Sequence, residues 1–277
     1  MSEAAAPVET WSGKDRGDEN FPVGVLINAK LRPHVHAFYA FARNADDIAD
    51  NPTLTPDDKI ARLDTMEAVL LGNSAAGSPH AAKLRASLGE TGVIARHATD
   101  LLIAFRRDAV KQRYASWDEL LDYCRYSAMP VGRHVLDLHG EDASHVYPAS
   151  DALCASLQIL NHLQDSSKDL AALNRCYLPQ DMLEAHGTSV DDLRRQAATP
   201  GLLAVNHALL AKTEALNAEA MRLPGAVKNR RLQLEVAVIV NLAKRLTARL
   251  RQGDPVARRI KLTRLDVIRA VLLAPFR

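Results

Sequence analysis

Apolar residues recur every three to four positions along most of the chain, and sustained alternation with β-branched residues is nearly absent. That period predicts amphipathic helices near 35–50, 57–71, 80–88, 92–113, 117–139, 149–173, 200–221, 225–251 and 263–273. Turn chemistry separates them: Asn51-Pro52, Gly72-Asn73, Gly89, Ser116, Gly140, Pro200, Pro224 and Gly253-Asp254-Pro255. Ser116 followed three residues later by Glu119 predicts a capping box. No linker rich in Gly, Ser or Pro divides the chain, and no repeat is visible. The pattern predicts an all-α, single-domain fold over 20–277, preceded by a disordered polar arm at 1–19.

Composition narrows the class. With 277 residues, 47% hydrophobic, the chain can bury a sizeable core. Thirteen Gly and 13 Pro exclude fibrous folds, and three irregularly spaced cysteines (Cys124, Cys154, Cys176) exclude a disulfide scaffold. These cysteines read as small buried hydrophobes, Cys154 facing any cavity lined by Gln158 one turn later. No apolar run is long enough to span a bilayer, and the polar start lacks signal-peptide character, so a cytoplasmic protein is expected.

Charge is unevenly spread. The net charge is +2, yet from Arg222 onward 14 Lys and Arg face 3 acids. Such a basic end suits phosphate groups, nucleic acid or an acidic membrane, or is simply a solvated face. Within it, 256–277 alternates Arg258, Arg259, Lys261, Arg264, Arg269 and Arg277 with Ile260, Leu262, Leu265, Ile268, Leu272 and Phe276. That is a basic amphipathic segment, able to lie at an anionic interface or to pack on the domain with Arg258 or Arg259 reaching an anionic ligand.

Two acidic ladders carry the candidate chemistry. On a helix, Tyr39, Arg43, Asp46 and Asp50 share one face. Asp46 and Asp50 are like charges four residues apart, a destabilising pair unless a cation lies between them. Hard oxygen ligands favour Mg²⁺ completed by phosphate oxygens; the bland reading is an acidic, solvated helix end. The second ladder shifts that balance: Gln158, Asn161, Asp165 and Asp169 again share one face. Two such helices facing each other would form a central acidic cavity able to clamp several Mg²⁺ ions on a diphosphate.

These residues resemble the squalene/phytoene synthase family of class I isoprenoid enzymes, from about Asn20 to Leu273. Tyr39 to Asp50 is similar to its first Asp-rich motif and Gln158 to Asp169 to its second. The run from Arg113-Tyr114 through Trp117 to Tyr123-Cys124, and Arg175-Cys176-Tyr177-Leu178-Pro179, match further signatures. Glu19-Asn20-Phe21-Pro22-Val23 and the stretch from Ser127 to Arg133 resemble the hydroxysqualene synthase branch, with Met129 departing from its usual Asn.

The resemblance implies roles position by position. Asp46, Asp47, Asp50, Asn161, Asp165 and Asp169 would hold Mg²⁺. Arg43, Lys168 and Arg175 would neutralise the diphosphate, and Tyr39, Tyr123 and Tyr177 would bond it or face a carbocation. Asn20, Phe21, Ser127 and Gln158 would line the substrate site. His134, His139, His145 and His162 read as structural or exposed, and Phe38, Phe41 and Phe105 as core.

The implied reaction is Mg²⁺-dependent ionisation of presqualene diphosphate, rearrangement and capture by water, giving hydroxysqualene and diphosphate. No Gly-rich dinucleotide fingerprint is present, so no nicotinamide cofactor is expected. The implied partners are the lipid diphosphate, a presqualene diphosphate synthase, a hydroxysqualene reductase and the inner face of the cell membrane, with no nucleic acid. The rival enzyme is a head-to-head prenyltransferase joining two prenyl diphosphates to presqualene diphosphate, squalene, phytoene or dehydrosqualene. A helical assembly factor is the non-enzymatic rival, disfavoured because unused like-charge pairs would only destabilise it.

Overall fold

The computed structural model describes residues 8, 9 and 27–274. Asn20, Phe21, most of the 1–19 arm, Phe276 and Arg277 lie outside the described residues. The two described residues of that arm are held in place. Arg62 Nη1 donates to the Val8 carbonyl at 3.3 Å. The Glu9 carboxylate accepts from Ser78 Oγ and the His80 backbone N–H, at 2.6 and 2.8 Å.

Among the described residues the regular elements are all helical, apart from one isolated bridge between Arg113 and Cys176. The helices gather into two compact units, residues 28–111 with 8 and 9, and residues 112–274 with 27. The first unit holds α1 (Arg32–Ala49), α2 (Pro56–Leu70), α3 (Pro79–Thr91) and α4 (Arg96–Val110). Thr55 caps α2 with a true capping box through Asp58, and Pro56 supplies a preset φ at the first turn. Phe38, Phe41 and Ile48 of α1 meet a core containing Leu63, Met66, Leu84, Leu101 and Leu102. Each such side chain contributes about 1.5–3 kcal/mol on burial.

The second unit holds α5 (Trp117–Ser127), α6 (Met129–Leu138), α7 (Ala143–Leu173), α8 (Gln180–Ala185), α9 (Pro200–Ala220), α10 (Leu223–Ala226), α11 (Arg230–Gln252) and α12 (Arg264–Leu273). The 31-residue α7 is its axis, flanked by α5, α6, α9 and α11. A buried polar relay fixes the register of three helices. Ser156 Oγ of α7 donates to Asn217 Oδ1 of α9 at 2.7 Å, and Asn217 Nδ2 donates to Thr247 Oγ1 of α11 at 3.0 Å.

Several boundaries differ from the sequence expectation for local reasons. α3 runs through Gly89 and ends at Gly92, which adopts the left-handed conformation (φ 73°) that closes a helix. The stretch predicted as one helix over 117–139 is two, broken at Ala128 where Pro130 removes a backbone donor. α7 starts six residues earlier than expected, its Asp142 cap accepting from Ser144 N and Pro148 tolerated near the helix start. At α5, Ser116 Oγ accepts from Glu119 N, but the Glu119 carboxylate reaches back to the Ala115 N–H at 2.5 Å rather than completing the box on Ser116.

Candidate active site

On α1, Tyr39, Arg43, Asp46 and Asp50 form one half-exposed stripe, while Asp47 turns inward and is buried. Arg43 forks over its own helix: Nη2 donates to Asp47 Oδ1 at 2.6 Å, and Nη1 lies 3.1 Å from Asp46 Oδ2. Asp46 keeps 35% of its side chain open to solvent. Even so, desolvation by the surrounding protein and the nearby Asp50 carboxylate push its pKa up to about 8, against the opposing pull of Arg43. Asp108 of α4 adds a further acidic neighbour to this cluster. The sequence reading missed it, because nothing in its local spacing ties it to the α1 ladder.

On α7, Gln158, Asn161, Asp165 and Asp169 also form one half-exposed stripe, with Lys168 more exposed beside it. Arg259, in the segment between α11 and α12, covers Asp165. Its Nη2 donates to Oδ2 at 2.8 Å, and its Nε stands 2.7 Å from Oδ1. The Arg259 guanidinium thus pairs with both carboxylate oxygens of Asp165. Gln164, on another face of α7, donates to the Ile260 carbonyl and anchors the same segment. The 256–277 stretch is therefore partly packed on its own unit, through Arg259 and Ile260.

Around this stripe lies an aromatic group. The His162 and Tyr177 rings stack with centroids 3.5 Å apart, and Tyr177 neighbours Tyr114 and Tyr123 at 5.4 and 5.5 Å. Burial and then the Arg175 charge push the His162 pKa down to about 3, so the ring is neutral and its Nε2 accepts from Gln158 Nε2 at 3.2 Å. Buried Arg175 donates to the Tyr177 hydroxyl at 3.2 Å. Residues 174–177 are held by Arg113, which donates to the carbonyl and side chain of Asn174, and by Cys176 N donating to the Gln112 carbonyl. Tyr114 and His162 were legible as motif neighbours, but their stacking was not.

The Ser127 hydroxyl, at the end of α5, is buried with no hydrogen-bond partner among the described residues. Cys154 lies where α7 meets α6. It abuts Gly132 of α6, where an added Cβ would lie 2.6 Å from its sulfur and 2.5 Å from Ser150 Oγ. Burial pushes the Cys154 thiol up to about 12 and raises Cys124 and Cys176 as well, leaving all three inert as thiolates.

Among the described residues no three His, Cys, Asp or Glu side chains converge as a ready-made metal cluster. The donor chemistry nevertheless fits a hard divalent cation. Each stripe offers carboxylate oxygens, and the mutual repulsion of Asp46 and Asp50 that helps raise the Asp46 pKa is what a cation would relieve.

The squalene/phytoene synthase family model matches residues 14–266. A hydroxysqualene synthase from Rhodopseudomonas palustris is 48% identical, covering 94% of this chain and 89% of its own. One from Sinorhizobium fredii is 47% identical, covering 91% and 86%. A solved squalene synthase from Alicyclobacillus acidocaldarius shares 34% identity at a TM-score of 0.72, covering 82% of this chain and 85% of its own. A ligand-bound dehydrosqualene synthase reaches 0.77 at 21% identity over 91% and 88%, a likeness of fold.

Proposed function

Given that the chain belongs to the squalene/phytoene synthase family, we propose that it converts presqualene diphosphate to hydroxysqualene and diphosphate. The observation that carries this reading is the half-exposed α7 stripe of Gln158, Asn161, Asp165 and Asp169 in a chain 48% identical to a hydroxysqualene synthase. Residues 20–277 act as one catalytic domain.

Ionisation breaks the carbon–oxygen bond, and the diphosphate leaves with the electron pair. Asp46, Asp47, Asp50, Asn161, Asp165 and Asp169 would hold Mg²⁺, which when bound supplies positive charge to the departing diphosphate. Arg43, Lys168 and Arg175 bind the same oxygens, an interaction that strengthens as negative charge develops. Tyr123 and Tyr177, buried beside Tyr114, would line the apolar part of the pocket that keeps bulk water from the rearranged carbocation. Tyr39, Asn20 and Phe21 complete the substrate contacts. Gln158, bonded to neutral His162, and the Ser127 hydroxyl supply the polar groups that orient one water. Its oxygen bonds to the cation and releases one proton. No reductant enters the balance, so no nicotinamide is needed and the step is formally that of a lyase.

Substrate and product are both lipids, which supports a working position at the cytoplasmic face of a membrane. There a presqualene diphosphate synthase supplies the substrate, and a hydroxysqualene reductase consumes the product. Diphosphate release tests the reading. Release is expected from presqualene diphosphate with Mg²⁺, and little from farnesyl diphosphate or without the metal. Turnover of farnesyl diphosphate at the faster rate would move the chain to the condensing enzymes.

A further inference from the structure

Helix α12 is built inside out. It meets its unit through a narrow strip of Asp266, Ala270 and Ala274, while its large apolar residues point away. Leu265, Ile268, Val271, Leu272 and Leu273 are each 51–65% exposed, with Val267 at 37%. Asp266 fastens the strip: Arg245 Nη2 donates to Oδ1 at 3.0 Å, and Arg249 Nε and Thr263 Oγ1 donate to Oδ2 at 2.6 and 2.7 Å. Asn241 Nδ2 adds a bond to the Ala270 carbonyl at 3.1 Å. The helix is thus clamped in one rotation, and that rotation displays its oily side.

Charge identifies what the side meets. From Arg222 onward there are three acids, and all are turned inward. Glu235 is buried, Asp254 accepts from the backbone N–H groups of Ala198, Val256 and Ala257, and Asp266 is buried in its clamp. Arg264 and Arg269 are exposed on the helix, and Arg258 and Lys261 are exposed on the segment that leads into it. A second copy on this face would set like charges against each other across a two-fold axis. An anionic surface is attracted instead. No helix among the described residues is long and apolar enough to cross a membrane. Ten residues of helix reach only about 15 Å, half a hydrocarbon core, and so lie in the interface.

We propose that the exposed face of α12 docks the enzyme on an anionic phospholipid bilayer, its apolar residues entering the headgroup boundary while Arg264 and Arg269, with Arg258 and Lys261 of the preceding segment, meet lipid phosphates. This deepens the reading of a lipid-to-lipid enzyme at a membrane and rests on it for the biological setting, while the docking face rests on geometry. The segment from Asp254 to Thr263 leads directly from this helix to Asp165, through Ile260 and Arg259.

Vesicle sedimentation of the full chain, with phosphatidylcholine alone or mixed with phosphatidylglycerol, tests it. Binding is expected on the anionic vesicles, weaker at high salt, and reduced ~10-fold or more in the double variant Ile268→Glu, Leu272→Glu. That variant should melt like the wild type and release diphosphate normally from detergent-dispersed presqualene diphosphate. No binding, equal binding on neutral vesicles, or undiminished binding by the variant would overturn the proposal. So would gel filtration showing a dimer that the variant splits, since a second copy would then own the face. A failure of diphosphate release in both proteins alike faults the proposed reaction and leaves the vesicle result standing.

Discussion

Asp46 shows how a single residue reports on the site. Its carboxyl stays protonated in the fold up to about pH 8, because burial and Asp50 disfavour its charge. In the unfolded chain it ionises near pH 4, at about the ordinary Asp value. Between those values the fold binds the extra proton, so this group's contribution to stability declines as pH rises. Metal-free Asp46→Asn is therefore expected to melt no lower than the wild type, and to lose part of that decline, in thermal melts across this window. The same variant, like Asp50→Asn and Asp165→Asn, should lose ~10²-fold or more of its diphosphate release, because each removes a carboxylate used most strongly as the leaving group departs. Near-normal turnover in any of them would remove that residue from the site. The two stripes were legible because helical spacing alone assigns residues to a face, and both faces are half-exposed in the structure. Asp108 and the Arg259 contact were not legible, since each joins its stripe from a distant point in the chain.

At the scale of elements, two junctions carry distinct weights. α6 lies so close to α7 that Gly132 has no room for a side chain, and Gly132→Ala is expected to cost about 1–3 kcal/mol in urea unfolding. α12 is held by polar contacts instead. Burial would raise the Asp266 pKa, but the Thr263 backbone and hydroxyl bonds, with Arg249 and Arg245, outweigh it and hold the carboxyl well below the usual range. Its stabilisation is present above about pH 4 and is lost as pH falls toward the lower folded value. Asp266→Asn should cost about 1–3 kcal/mol locally, seen as faster amide exchange confined to 264–273 and the residues it touches. Helix existence was legible from periodicity for α1, α2, α9 and α11. The short α8 and α10 were not, having too few turns to show a period. The split of 117–139 follows from Pro130, whose missing N–H outweighed a continuous apolar pattern.

For the whole molecule, the decisive chemistry is how the reaction ends. The rearranged cation can lose a proton, accept hydride or accept water, and the fold alone does not choose among them. What favours water here is the polar pair on α7, Gln158 bonded to neutral His162. The sequence showed these residue types but not that burial keeps His162 uncharged, which depends on Tyr177 stacking and Arg175. The direct test is incubation of the purified enzyme with presqualene diphosphate and Mg²⁺ in ¹⁸O-labelled water, with and without NADPH. The account requires a C30 alcohol carrying the label, in the same yield either way. Squalene forming in proportion to added NADPH, or an unlabelled alcohol, would contradict it.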